Sequence, residues 1–137
     1  MNTRGQISLE YLIVFGFVMF AVIILLGISL FYASSVQDQI RVNQLSTFAN
    51  KVINSAESVY YAGEPSKVTI NAYLPEGVAD FEIASNSLVF TFTTSSGTSV
   101  TAFESKVPLD GLFSLSLNKG VKRLTIRAGG DRVYVSE

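Results

Sequence analysis

The chain has 137 residues, 48% hydrophobic and 15% charged, which is room for one modest domain. Ten Lys and Arg against eleven Asp and Glu leave a formal charge of −1, without the basic excess expected of a nucleic-acid binder. Cysteine and histidine are both absent. That excludes disulfides, thiolate chemistry and Cys- or His-ligated metals, and leaves an exported domain to rely on packing or assembly.

The hydrophobic content is concentrated near the N-terminus. Tyr11 to Tyr32 is an apolar run of 22 residues, and no charge occurs from Tyr11 to Ser35. About 20 apolar residues suffice for a helix to cross the hydrocarbon of a bilayer. Gly16 and Gly27 lower helix propensity in water but are common in membrane helices. The run is longer than the apolar part of an ordinary cleaved signal peptide, so an anchor is the simpler expectation. Arg4 precedes the run, while Asp38 and Arg41 follow it and nearly cancel. The expected orientation is N-terminus inside and the bulk of the chain outside.

The residues before the run are Arg4, Gly5, Gln6, Ile7, Ser8, Leu9 and Glu10, with Tyr11 opening the run. The stretch from Gly5 to Leu12 resembles the archaeal class III signal peptide of type IV pilin-like precursors. The resemblance implies cleavage between Gly5 and Gln6 by a membrane prepilin-type peptidase. Residues 1–5 would be the leader, and the apolar helix would be retained. Gln6 would become the new N-terminus, Ser8 the third mature residue and Glu10 the fifth. It also implies a cell-membrane subunit that enters an extracellular filament with other copies of itself or related pilins, through assembly machinery in the membrane. The segments Tyr60–Gly77 and Lys122–Val135 are similar to the corresponding parts of small archaeal proteins of this class.

Physical chemistry gives Glu10 its own account. A carboxylate buried among packed apolar helices is costly unless it is paired. A processed neighbour would offer the free α-amino group of its Gln6. The alternative places Glu10 at the membrane edge with its carboxylate in interfacial water.

From Ser34 to Tyr61 there is no Pro or Gly. Val36, Ile40, Leu45, Phe48, Ala49, Val52, Ile53, Ala56, Val59 and Tyr60 recur at threes and fours, the spacing of a helical stripe. Asp38, Arg41, Asn43, Asn50, Lys51, Asn54 and Glu57 fall between them as a polar face. One helix is predicted over residues 6–61, about 80 Å long, hydrophobic to about residue 33 and amphipathic after it. The stripe is expected to dock on the following domain, with coiled-coil pairing as the alternative. Gly63 and Pro65 end the helix.

Residues 66–137 read as a small, mainly antiparallel β-domain outside the membrane, sandwich-like, which makes the predicted class α+β. Val68, Ile70, Ala72 and Leu74 alternate with polar residues, and Pro75–Gly77 turns the chain. Strands follow over Asp80–Ala84, Leu88–Thr93 and Ser99–Val107, with a hairpin turn at Ser95–Thr98. Pro108–Gly111 is predicted as a turn, Phe113–Leu117 as a strand, and Lys122–Arg127 with Arg132–Val135 as a final hairpin. Lys119, Lys122, Arg123, Arg127 and Arg132 are expected on a solvated strand face; an anionic or polysaccharide ligand is the alternative use of that face.

No catalytic constellation emerges, and no cofactor is expected. Triads lack His and Cys. Asp80 and Glu82 read as a solvated strand edge, and Asp110 and Asp131 as turn residues bonding nearby backbone. No calcium-loop spacing and no N-x-[ST] sequon is present. A filament subunit is therefore the leading expectation. The alternatives are a non-polymerising anchored binding protein and a minor pseudopilin, with an adhesive role for the β-domain open.

Overall fold

The computed structural model describes residues 3–84, 86–111 and 116–137, with side chains described from Ser8 onward. Helix α1, Thr3–Ala62, is followed by β1 Lys67–Leu74, β2 Val78–Ala84, β3 Ser87–Thr94, β4 Gly97–Glu104, β5 Leu109–Asp110, β6 Gly120–Gly129 and β7 Arg132–Ser136. The architecture is α+β, as expected. Two compact units divide the chain, Met1–Gln37 and Asp38–Glu137.

In the first unit, Leu12, Ile13, Val14 and Phe15 point in successive directions about 100° apart. Each is half or more exposed. The same holds for most large side chains from Leu9 to Tyr32, so this stretch is apolar on every side. Among the described residues α1 is one helix long and apolar enough, by length and composition, to cross a membrane.

In the second unit the helix is part of the core. Leu45, Phe48, Ala49, Val52, Ile53, Ala56 and Val59 are buried together with Leu74, Leu88, Phe90, Leu124, Ile126 and Val133. The predicted stripe thus docks on the β-domain from Leu45 onward. Ile40, nearer the start of the stripe, is half exposed. With Tyr73 and Val121 it lines an open groove of about 620 Å³ beside β1. Gly63 ends the helix at φ 74°, its N–H reaching the carbonyls of Val59 and Tyr60 at 3.2 and 3.1 Å. A left-handed residue at this point closes off the last turn, and Gly adopts it without a Cβ penalty.

The strands form two sheets, β1-β6-β7-β5 and the meander β2-β3-β4. Pairing is antiparallel except between β5 and β7. Leu109–Asp110, predicted as part of a turn, is therefore a short parallel strand. The apolar Leu109 is buried beside Val133, and burial of that side chain draws the segment onto the sheet where local turn chemistry suggested a reversal. Most of the strand predicted over Phe113–Leu117 lies outside the described residues.

Phe90, fully buried on the central strand of the meander, organises the aromatic core. Its ring centre lies 4.7 Å from that of Phe81, 6.0 Å from that of Phe103 and 6.0 Å from that of Phe48 on the helix. Register explains the first contact, because Phe81 stands directly across from Phe90 and directly opposed residues share a face. Among the described residues no buried side-chain nitrogen or oxygen lacks a partner.

Lys122 departs from expectation. It belongs to the inward-facing set Lys122, Leu124, Ile126 and Ala128 of β6, and is only 8% exposed. Its Nζ lies 4.0 Å from Glu137 Oε1. The alternation of β6 puts it beneath the sheet, with its aliphatic stem in the core and its ammonium at the margin. It does not share the solvated face of Arg123 and Arg127.

Candidate functional site

Gly5, Gln6, Ser8, Glu10 and Tyr11 all lie on the first turns of α1. Ser8 and Glu10 are exposed. Tyr11 is 72% exposed, and its ring stacks on that of Phe15 one turn on, with centroids 6.4 Å apart and planes at 19°. Glu10 makes no ion pair or hydrogen bond to another described residue. Three and four residues beyond it, on the turn it shares, are Ile13 and Val14. A carboxylate here is thus carried at the border of a surface that water solvates poorly. Withdrawn from water alone, it would be costly unless a cation stood beside it.

In the second unit, the polar residues flanking the buried stripe do more than face solvent. Asp38 Oδ2 accepts from the Ser95 backbone N–H at 2.9 Å and from Ser95 Oγ at 2.5 Å. Arg41 donates to Glu76 Oε1 at 3.1 Å, and Lys119 to Glu76 Oε2 at 3.0 Å. Lys51 Nζ donates to the Asn71 carbonyl on the open edge of β1 at 2.7 Å. Glu57 accepts from the Lys106 N–H at 3.4 Å. Together these contacts tie the helix to the turns after β1 and β3, to the β1 edge and to the segment after β4. Sequence spacing marked Asp38, Arg41, Lys51 and Glu57 as polar but held no sign of their partners, which lie 20 to 57 residues away.

The Ser95 bonds, and secondarily Arg41, hold the Asp38 carboxyl below its ordinary value of 3.8. Lys119, and then Arg41, do the same for Glu76 below 4.5. A carboxylate whose pKa is depressed in the folded state contributes stability that is complete above its unfolded value. That stability is lost as pH falls through the folded value. The thermal midpoint of the β-domain is therefore expected to hold down to about pH 5 and to fall below it. Asp38→Asn should flatten that fall, as followed by near-ultraviolet circular dichroism between pH 7 and 3; an unchanged profile would show that the Asp38–Ser95 bonds carry none of it. Salt should weaken mainly the Glu76 part of the effect, since that carboxylate is much the more exposed of the two.

Among the described residues no cluster of three or more acidic side chains is placed to hold a metal. Asp80 and Glu82 are exposed on the edge strand β2. Asp110 accepts from the Gly111 N–H at 2.8 Å and from Arg132 at 2.7 Å.

The chain thus joins an apolar N-terminal helix of the signal- or anchor type to a small β-domain. Compared with family models, curated proteins and solved structures, it matches none.

Proposed function

We propose that the chain is a structural subunit of an archaeal type IV-like pilus or related surface filament. It is assembled through its N-terminal helix and acts structurally rather than as an enzyme. Its β-domain lies outside the membrane. Its partners are a prepilin-type peptidase, the assembly machinery and further copies or related subunits.

The observation that carries this reading is Glu10, a charge at the border of a helix surface that is apolar on every side, five residues after the Gly5–Gln6 bond. Lipid alone accounts for the apolar surface, and neighbouring helices of the same kind would cover it equally well. A lone carboxylate gains nothing from lipid. Between packed helices it gains from a cation, and a chain cut before Gln6 presents one at its own N-terminus.

Mass spectrometry of the chain from native membranes is expected to find Gln6 as the first residue. Electron microscopy of the sheared surface fraction, labelled with antibody to the β-domain, is expected to find rods. Retention of Met1–Gly5 would leave a plain anchor and remove the pairing of Glu10. A cleaved chain without rods would make it a tethered binding protein or a minor subunit.

A further inference from the structure

We propose that the outer face of the four-stranded sheet binds an acidic polysaccharide, whose carboxylates meet Lys67, Arg123 and Arg127 and whose sugar rings lie against Tyr73 and Tyr134. The proposal does not depend on whether the chain polymerises.

The register defines this face. Lys67 stands across from Arg127, Thr69 from Thr125, Asn71 from Arg123 and Tyr73 from Val121. Arg127 in turn faces Tyr134, and Thr125 faces Ser136. From Lys67 to Tyr73 the face runs about 20 Å along the strands. Tyr73 and Tyr134 are each 47% exposed, one toward each end. Tyr134 lies across Gly129, where a Cβ would overlap its ring, so the ring is laid along the sheet.

Charge on this face is not balanced internally. Among the described residues, Arg41, Lys119, Lys122 and Arg132 pair with carboxylates and Lys51 bonds a carbonyl, while the exposed Lys106, off this face, has no ion pair. Lys67, Arg123 and Arg127 have no ion pair among the described residues. Asp110, the carboxylate in register beside Tyr134, is already matched by Arg132 at 2.7 Å. Lys67 and Arg127 are like charges directly opposed across a ladder, an arrangement that costs the fold stability. An anion placed between them would turn that repulsion into attraction.

The face favours a sugar chain over other polyanions. A duplex nucleic acid carries a charge about every 1.7 Å of its axis, far denser than three cations spread over this length. An acidic protein would require an apolar centre sealed from water, and the centre here is Thr69, Thr125 and Ser136. Hydroxyls and the Asn71 amide exchange hydrogen bonds with sugar hydroxyls, and tyrosine rings pack on the C–H faces of sugars.

The test uses the full chain in detergent micelles with three probes: an oligogalacturonate, its fully methyl-esterified form, and a single-stranded DNA of equal charge. The oligogalacturonate is expected to bind, to weaken between 50 and 200 mM salt as the screening length shortens to about 7 Å, and to bind tighter than both other probes. Replacing Lys67, Arg123 and Arg127 together by Gln should weaken it at least tenfold, about 1.4 kcal/mol. Lys106→Gln, which removes one charge off this face and is matched to Arg123→Gln alone, should leave it within about twofold. Should the triple variant fail to fold, Arg123→Gln alone carries the comparison. Equal or tighter binding of DNA would assign the face to nucleic acid and overturn the proposal. Equal binding of the ester, an equal loss in Lys106→Gln, or no binding of any probe would overturn it as well.

Discussion

A Glu10→Ala chain is expected to reach the membrane and to be processed, yet to yield no filaments. The basis is a difference in what the substitution costs in two surroundings. In lipid, removing a carboxylate from the border of the apolar helix relieves a polar group, so insertion should be unimpaired. Among packed helices, it would leave the neighbour's α-ammonium buried without a counter-charge. Breaking a buried pair by removing one partner costs about 3–5 kcal/mol, which is more than a hundredfold in an equilibrium constant. In a filament that loss recurs at each subunit. The sheared surface fraction, measured by immunoblot and electron microscopy, should drop to background while the processed chain persists in membranes. Glu10→Gln separates charge from size, since it keeps the volume and hydrogen-bonding capacity but removes the ion; it should fail nearly as completely. Normal rods from Glu10→Ala would show that the carboxylate is not paired in any assembly, and would leave the interfacial account of Glu10.

The second large effect is expected at Phe90. Phe90→Ala should destabilise the β-domain by about 3–5 kcal/mol, the usual range for emptying a fully buried aromatic site. The ring touches side chains from two neighbouring strands and from the helix, so collapse into the vacated space would have to move three elements at once. Domains of this size hold only about 5–15 kcal/mol in total. The thermal midpoint of the full chain should therefore fall by on the order of 15–30 °C. Near-ultraviolet circular dichroism of the tyrosines would report it, as the chain has no Trp. Val100→Ala, at a position 64% exposed on β4, is the matched control and should stay within about 0.5 kcal/mol. A shift below about 5 °C in Phe90→Ala would mean that the site repacks and that the helix is held chiefly by its polar contacts.

Those polar contacts matter to how the helix is held within the second unit. Its buried stripe interdigitates with the strands, as Phe48 does edge-on against Phe90, and close packing of this kind already opposes sliding. Hydrogen bonds are directional. Asp38 on Ser95, Arg41 on Glu76, Lys51 on Asn71 and Glu57 on Lys106 fix the register of the helix against the strands. Each is modest in energy at the surface, and together they add directional contacts to the packing of the stripe.

Elements governed by local periodicity were legible in the sequence. The apolar run, the stripe from Leu45 to Val59, the stop at Gly63, the hairpins and the position of Glu10 at the border all follow from spacing and turn chemistry within a few residues. Tertiary structure alone decided the division into two sheets, the parallel pairing of Leu109–Asp110 with β7, the inward turn of Lys122, the partners of Asp38 and Arg41, and the gathering of Lys67 with Arg123 and Arg127 on one face. Each of these depends on which distant segment stands opposite. A strand's alternation says which residues share a face but not which strand lies next to it. The sequence by itself therefore determined that an apolar helix with one bordering carboxylate is joined to a β-domain. The fold then decided which charges on that domain are paired within it and, among the described residues, which are not.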